Sequence, residues 1–405
     1  MGSSYLAVLR RSHARPLLLA SLVGRLSNAT GPLSVVLFVQ AETGSLALAG
    51  TASAAIALAS GLLAPIRGRL VDRHGQRRCL PPMALGFAAA LAGLVAVAGS
   101  APAAVAATVA LAAAAGAVAP PLGASMRVLW ISLVGQGPRL QTAYALDAVL
   151  DELLFVAGPL LAGGLAILYR PAAGVLATAG LALAGTLGFV ASPVSRAQDG
   201  SQAPAAGRGR LAGALGSAGM RTLTLSLAGV GAAIGILEIG LVGAAREAGA
   251  AEAASLSLAA WAAASAVGGL WYGARTWHGP AGRRYLGLLA LLVLAGAPMA
   301  ATTSPLALGG LVALVGLVLA PLESSAYVLA AELAPPGTLT ESGTWLTTAI
   351  NTTGAAGLAV AGGCTAAGLL VALVGRDRLG ATPYRGRHTA SHATARQLRR
   401  ERRIL

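Results

Sequence analysis

The feature that most constrains this chain is a series of long apolar runs separated by short polar breaks. A helix needs about 20 mostly apolar residues to cross the hydrocarbon core of a bilayer. Such runs come in two sets, one before and one after a polar stretch near residue 200. We place them at 16–40, 46–66, 80–99, 102–124, 141–168, 171–193, 220–243, 253–273, 285–301, 304–330, 342–363 and, shorter, 364–375. The sequence therefore predicts an all-α integral membrane protein.

The composition supports this class and excludes others. Only 11% of the residues are charged and 56% are hydrophobic, whereas soluble domains carry about 25% charged residues. A net charge of +15 could suggest nucleic acid as a partner. The positive residues, however, are grouped between apolar runs and in the last 30 residues. We therefore predict a lipid bilayer as the surroundings and no nucleic-acid partner.

The arginines predict an orientation. Loops on the cytoplasmic side of membrane proteins carry an excess of Lys and Arg. With the N-terminus in the cytoplasm, 26 of the 29 arginines fall in inside segments, and only Arg170 and Arg246 in outside loops. Arg25 completes the set, within the first span. We expect a multi-pass protein of the cell membrane with both termini in the cytoplasm.

The spacing of the runs predicts four regions: a six-helix bundle over 1–193, a cytoplasmic linker over 194–219, a second helix bundle over 220–375 and a basic cytoplasmic tail over 376–405. The end of the second bundle is irregular. Residues 343–375 are 33 uncharged residues in a row, too many for one span and too few for two full spans. We expect a short, tilted or incomplete twelfth helix; a truncated or altered gene end is the alternative.

The loop after the second run contains a motif. Its glycine, aspartate and arginine positions are Gly68, Asp72, Arg73, Gly75, Arg77 and Arg78. This spacing resembles the signature G-x-x-x-D-R-x-G-R-R of the major facilitator superfamily, with Gln76 as the one departure. The resemblance implies two six-helix bundles around a central cavity that opens alternately to each side. It also implies that these residues form a gate and do not bind substrate. A copy without the aspartate begins at Gly273.

A second motif lies in the fifth run, at Gly158, Pro159, Gly163 and Gly164. It resembles the G-P-x-x-G-G signature of the drug/proton antiporter branch, with Ala162 in place of the first late glycine. Small residues four apart allow close helix packing. The resemblance implies export of the substrate in preference to uptake.

Carboxylates precede this second motif on the same helix. Asp147 and Asp151 are four residues apart and share a helix face, and Glu152 follows. Asp147 could still reach the surface. For Asp151 and Glu152 three roles stay open: pairing with Arg127, joining the gate around Arg73 to Arg78, or carrying protons.

Further charges lie inside other apolar runs. Arg25 lies in the first run, Glu238 in the seventh and Glu323 in the tenth. By resemblance, the first, fourth, seventh and tenth helices line the central cavity. Charged groups inside a membrane are costly and are therefore functional candidates. We expect Glu238, then Glu323, to bind substrate or protons, with Arg25 as a counter-charge.

Together these features predict a secondary transporter that exports a small amphipathic compound in exchange for protons. The alternatives are uptake of a nutrient or metabolite by the same fold, and a membrane protein that does not transport. The sequence has no P-loop and no Cys/His cluster, so we expect no enzyme activity, no cofactor and no metal. The expected partners are the substrate, protons and the bilayer, and we expect a monomer.

Overall fold

The computed structural model describes residues 2–99, 101–198, 213–247, 249, 251–277, 279–302 and 304–356. This part of the chain is helical and contains no strand. Its helices are α1 (Gly2–Leu9), α2 (Ala14–Thr43), α3 (Leu46–His74), α4 (Gln76–Val97), α5 (Pro102–Val118), α6 (Leu122–Val134), α7 (Pro138–Leu168), α8 (Pro171–Ala191), α9 (Pro193–Arg196), α10 (Ala218–Glu247), α11 (Ala251–Gly273), α12 (Ala281–Gly296), α13 (Pro305–Leu333) and α14 (Leu339–Ala356). The predicted twelfth run and the tail lie outside the described residues.

The membrane class predicted from the sequence is confirmed. Within the described residues, nine helical segments are long and apolar enough to cross a bilayer, and α5 and α6 count together as one of them. Two further predicted runs, 285–301 and 342–363, overlap the shorter helices α12 and α14. The fourth run extends beyond its predicted end at residue 124, because α6 continues to Val134 after a break at Ala119, Pro120 and Pro121.

The helices run back and forth between two ends of the bundle. We call the end at which α2 begins the basic end, because it carries the arginine-rich α3–α4 and α11–α12 connections. We call the opposite end the far end. Arg67 and Arg127 do not belong to the loops of the basic end, where the sequence count placed them. Both are buried inside the bundle, so they contribute nothing to the loop-charge argument.

Small residues let the helix backbones come together, as expected where no water separates them. Helix α2 packs on α8, α3 on α5, and α11 on α13. A Cβ atom at Gly185 would lie 2.1 Å from the backbone nitrogen of Gly24, and one at Gly116 would lie 2.2 Å from the carbonyl oxygen of Ile56. The first and second halves of the chain meet where α3 packs on α14 and where α7 packs on α11 and α13.

Burial along α7 shows which end of the bundle is closed. Residues 140–149, near the basic end, are buried with the exception of Leu146. Beyond residue 152, half of the residues of α7 are exposed, including the consecutive residues 155–157. Three consecutive residues point to different sides of a helix, so this part of α7 is exposed on more than one face. Helix α7 is therefore tightly packed near the basic end and much less so toward the far end.

The first helix, α1, was not predicted. It lies at the basic end against α7 and α2, and its Tyr5 hydroxyl donates to the carbonyl oxygen of Leu270 in α11 at 2.8 Å. Burial raises the pKa of Tyr5 to about 12, so the hydroxyl keeps its proton and remains a donor at physiological pH. A segment outside the bundle thus connects the two halves at the basic end.

The α2–α8 contact yields a stability prediction. Gly185→Ala should destabilise the fold by about 1–3 kcal/mol, the usual cost of overpacking, because the new methyl group would overlap the backbone of α2. Gly180 is the matched control on the same helix, with no atom within 4 Å of the position of an added Cβ. Gly180→Ala should be neutral or slightly stabilising. Thermal unfolding of both purified variants measures the difference, and equal melting temperatures would contradict this account of the contact.

Candidate functional site

Four charged side chains form a ring in the middle of the first half. Arg25 comes from α2, Arg127 from α6, and Asp147 and Asp151 from successive turns of α7. Arg25 Nη1 donates to Asp147 Oδ1 at 2.7 Å, and Arg25 Nη2 contacts Asp151 Oδ1. Arg127 Nε lies 3.0 Å from Asp147 Oδ2, and Arg127 Nη2 donates to Asp151 Oδ2 at 2.9 Å. Each carboxylate therefore bridges both guanidinium groups, and we call these four residues the charge quartet.

Three members of the quartet are buried, Asp151 is partly exposed, and the quartet carries no formal net charge. Asp147 has 0% of its surface exposed, and both arginines are buried. Taking single charges out of water costs several kcal/mol each, and only close partners of opposite sign offset this cost. The alternating ring supplies two partners to every member, which explains how four charges persist inside an apolar bundle.

Aromatic side chains connect the quartet to the second half. The Arg127 guanidinium lies over the ring of Tyr327 from α13, 3.7 Å from the ring centroid, which is a cation–π contact. Tyr144 donates from its hydroxyl to the carbonyl oxygen of Arg127 at 3.0 Å and meets Tyr327 edge to face. The position of Arg127 is thus determined by residues of both halves.

Three glutamates surround the quartet without a cation of their own. In the described part of the chain, none of Glu152, Glu238 and Glu323 forms an ion pair. Glu323 on α13 is close enough for its charge to interact with Arg127, Asp151 and Glu152. Glu152 also interacts with the charge of Glu238 on α10. The structure therefore brings the carboxylates predicted from three separate apolar runs into one region.

The surroundings of these glutamates differ. Glu152 is half-buried and accepts a hydrogen bond from Ser265 Oγ of α11 at 2.9 Å. Glu323 is half-buried, whereas Glu238 is exposed in the middle of its helix. Glu238 therefore lies on the surface of the helix bundle and not within its packed core.

Some sequence expectations about these charges need correction. The expectation that Asp147 could reach the surface is wrong, because Asp147 is fully buried in the quartet. Of the roles left open for Asp151, the structure shows pairing with Arg127 and not with the loop arginines Arg73 to Arg78. Arg25 is a counter-charge to Asp147 and Asp151, not to a glutamate. Tyr327 follows Glu323 by one helical turn, which is the one sequence signal that links it to the site.

At the basic end, Asp72 connects α3 to the start of α14. Its two carboxylate oxygens accept hydrogen bonds from the backbone nitrogens of Thr340 at 3.0 Å and Glu341 at 2.8 Å. The first N–H groups of a helix have no partner within the helix, and the helix dipole favours a negative charge there. Asp72 therefore caps a helix of the opposite half.

Two neighbours of Asp72 strengthen this connection. Arg69 forms a bidentate ion pair with Glu341, through Nη2 at 2.7 Å and Nε at 3.1 Å. A Cβ at Gly68 would lie 2.8 Å from the Cα of Glu341 and 2.5 Å from Thr344 Oγ1, so only glycine permits this approach. We call Gly68, Arg69, Asp72 and Glu341 the latch.

The latch differs from the one expected. The resemblance implied a gate formed by Asp72 and the arginines that follow it, whereas the partners of Asp72 are backbone N–H groups of α14. The other predicted gate arginines, Arg73, Arg77 and Arg78, form no ion pair within the described residues. Gly75 forms the turn between α3 and α4 with φ of +86°. Arg69 and Glu341 were missed, since a sequence separation of 272 leaves no local pattern.

The second-half copy of the motif makes a related contact. A Cβ at Gly273 would lie 2.4 Å from the Cβ of Ala145 in α7, and Thr142 Oγ1 donates to the Gly273 carbonyl at 2.8 Å. This contact contains no carboxylate, as the sequence indicates. The motif and its copy thus both join the two halves at the basic end, one through a charged contact and the other through an uncharged one.

Only the first part of the antiporter-like motif packs closely against another helix. A Cβ at Gly158 would lie 2.5 Å from Ala29 of α2, and Ala162 is fully buried. Gly163 and Gly164 have no atom within 4 Å of an added Cβ. The close approach therefore involves Gly158 and Ala162, four residues apart, next to Pro159 inside the helix.

The quartet yields a prediction. Asp147→Asn should destabilise the protein by about 3–5 kcal/mol, because it leaves a buried positive charge without balance. The double variant Arg25→Met, Asp147→Asn removes one charge of each sign and should recover part of this loss. Thermal unfolding in detergent measures both effects. A double variant less stable than Asp147→Asn alone would contradict charge balance as the reason for the ring.

Comparisons with known proteins agree with this architecture. Residues 17–375 match the sequence profile of the Major Facilitator Superfamily. A bacterial homologue of the iron transporter ferroportin, crystallised in an outward-facing state, has a similar structure, with TM-score 0.64, 16% identity and coverage of 90% of this chain and 98% of that one. The human organic anion transporter MFSD10 (TETRAN) has TM-score 0.63, 16% identity and the same coverage. No curated protein sequence matches. Because the profile spans most of the chain and the folds agree, the chain belongs to the major facilitator superfamily and is a secondary transporter with the major facilitator fold.

Proposed function

We propose that this transporter exports a small amphipathic compound in exchange for protons. The observation that carries the proposal is the group of three glutamates from both halves, Glu152, Glu238 and Glu323, beside a quartet whose charges already balance. A carboxyl group in apolar surroundings binds a proton unless a cation compensates its charge. Groups of this kind can exchange a proton for a substrate when access changes from one side of the membrane to the other.

Glu323 is the proposed proton carrier. It lies one turn from Tyr327, which holds Arg127 from the other half, and its charge interacts with Arg127. Any relative movement of the two halves changes the separation of Glu323 and Arg127. Since a nearby cation favours the ionised carboxylate, such a movement would drive proton release or uptake. Access is thereby coupled to protonation.

The charges also favour a class of substrate. Both guanidinium groups of the quartet already contact two carboxylates each. Among the described residues around the site, a bound anion would therefore find carboxylates and no free cation. A neutral or positively charged amphipathic compound fits this arrangement better. Glu238, which is exposed on α10, is the proposed substrate contact.

The latch supports alternating access between two halves. We propose that residues 1–193 and 220–375 form the two moving bundles of a monomer, joined by the linker 194–219, with 376–405 as a basic tail. The arginine-rich basic end is proposed to face the cytoplasm, by the excess of positive charge. The described conformation would then be closed to the cytoplasm and open outward, and export is supported by the resemblance at Gly158 and Pro159.

Proton coupling can be measured in proteoliposomes. We expect a pH gradient to drive flux of a lipophilic organic cation such as ethidium, and Glu323→Gln to abolish the gradient dependence, because an amide cannot bind the transported proton. Glu238→Gln should weaken apparent substrate affinity and retain the gradient dependence. Glu42→Gln is the control of the same chemistry, since Glu42 is exposed at the far end of α2.

The outcomes separate the functions. Flux in the direction opposite to the proton gradient supports export, and flux with the gradient supports the uptake alternative. Gradient dependence that persists in Glu323→Gln would overturn the assignment of the proton carrier. No gradient-driven flux of any compound in a broad panel, with the fold intact, would favour a protein that does not transport.

The latch yields a separate prediction. Asp72→Asn replaces one acceptor oxygen with an amide donor that faces a backbone N–H, so the closed basic end should lose stability. Loss of a helix cap costs about 0.5–2 kcal/mol, which corresponds to a roughly 2- to 30-fold increase in the open population. The measurement is the maleimide labelling rate of Ser342→Cys, buried behind the latch, with Cys79 and Cys364 replaced by Ser.

Arg78→Gln is the control for this measurement. Arg78 belongs to the same motif, in the first turn of α4, and forms no ion pair in the described part of the chain, so its loss should leave the labelling rate unchanged. Equal rates in the Asp72→Asn variant and the parent would show that the cap does not hold the basic end closed.

A further inference from the structure

Arg67 is buried in α3 without a carboxylate partner. It has 6% of its surface exposed and forms no ion pair within the residues that the structure describes. Its guanidinium donates instead to backbone oxygens: Nη1 to Gly116 and, at 3.1 Å, to Ala117, and Nη2 to Ser60 at 2.7 Å. Burying a charge without compensating partners costs several kcal/mol. The choice of backbone oxygens as partners for Arg67 therefore needs an explanation.

The two carbonyls in α5 are those that lack their normal donors. In an α-helix, the N–H of residue i donates to the carbonyl of residue i−4. Pro120 and Pro121 have no N–H, and the carbonyls four residues before them belong to Gly116 and Ala117. Ala119 N reaches Gly116 only at 3.4 Å. Arg67 Nη1 thus replaces the two donors that the prolines remove.

These hydrogen bonds from Arg67 lie at the break between α5 and α6. Helix α6 begins at Leu122, and five residues later it carries Arg127 of the quartet. On the other side of the break, Gly116 already lies against the backbone of Ile56 in α3. Arg67 therefore joins α3 to the last carbonyls before the chain turns into α6. The direction of α6, and with it the place of Arg127, depends on this junction.

We propose that Arg67 is a positioning residue: by replacing the N–H groups missing at Pro120 and Pro121, it holds the α5–α6 break in the geometry that places Arg127 in the charge quartet. The quartet's part in transport rests on the proposed function. The positioning itself is a structural property and can be tested without transport.

The second half provides a natural comparison. There, Pro321 removes one donor, from the carbonyl of Leu317, and α13 continues unbroken from Pro305 to Leu333. The Leu317 oxygen is approached by Gly268, where a Cβ would lie 2.0 Å away. At the position before Gly273, which corresponds to Arg67 before Gly68, stands Tyr272, and its hydroxyl meets Ser325 Oγ at 2.7 Å. Helix α13 thus accommodates its single proline without a cation, whereas the carbonyls that precede the two prolines at the α5–α6 break accept from Arg67.

The first test is a set of four proteins: the parent, Arg67→Met, the double variant Pro120→Ala, Pro121→Ala, and the triple variant with all three changes. We expect Arg67→Met to lower the melting temperature, because two carbonyls lose their donors. The double variant should also lower it, since restored N–H groups compete with a buried guanidinium. The triple variant should melt above Arg67→Met, because the helix then satisfies its own carbonyls.

Arg69→Met is the matched control, two residues along the same helix, where the side chain binds Glu341 and not α5. Combining it with the two proline changes should give no recovery. If Arg67→Met does not fold, recovery of folded protein in the triple variant supports the proposal. A triple variant with the summed losses of its parts, or one that fails to fold as Arg67→Met does, overturns it.

The second test measures the position of α6. Nitroxide labels at His74 of α3 and Ser132 of α6, both exposed, report the separation of these helices in a background with both native cysteines replaced. We expect a narrow distance distribution in the parent and in Arg69→Met, and a shifted or broadened one in Arg67→Met. An unchanged distribution in Arg67→Met would show that Arg67 does not position α6. Absence of proton-driven flux in the parent would instead refute the proposed function, and the distance result for Arg67→Met would still hold.

Discussion

The structure depends on one constraint: a polar group inside the apolar bundle must find its partner within the protein. Lipid offers no hydrogen bonds, so an unpaired backbone or side-chain group in a span costs several kcal/mol. Pro65 shows the rule on a small scale. It removes the donor to the Gly61 carbonyl, and Thr348 Oγ1 from α14 supplies another at 2.8 Å. A contact between the two halves thus forms where α3 cannot supply a hydrogen-bond donor to one of its own carbonyl groups.

The same constraint explains how charge is distributed through the molecule. Four charges on three helices, three of them buried and Asp151 partly exposed, form a ring in which every member has two partners of opposite sign. This ring is a fixed element. The glutamates beside it have no such balance in the described structure, and they lie on helices of both halves. Carboxylates without an ion-pair partner among the described residues therefore lie close to a ring of charges that balance one another.

Alternation between two open states requires contacts that can form and break as units. The latch has this character, because Asp72 and Arg69 bind the first residues of α14. At the level of the site, Tyr327 of the second half holds Arg127 of the first. Movement at the basic end would thus alter the surroundings of the quartet through helices α13 and α14. The neutral contact at Gly273 and the Tyr5 hydrogen bond add further connections at the same end.

The sequence by itself determined the class of protein, the approximate helices and the residue types of the site. Hydropathy acts along the chain, so the spans and the helical spacing of Asp147 and Asp151 could be read directly, and the glycine–aspartate motif indicated the family. Only the tertiary structure decided the partners. Arg69 meets Glu341 across 272 residues, Asp72 binds backbone groups that no side-chain pattern reveals, and Arg67 serves a helix break instead of a loop. These pairings depend on which helices are neighbours and how they face one another. That arrangement follows from packing and from the need to satisfy every buried polar group, neither of which acts over short sequence distances.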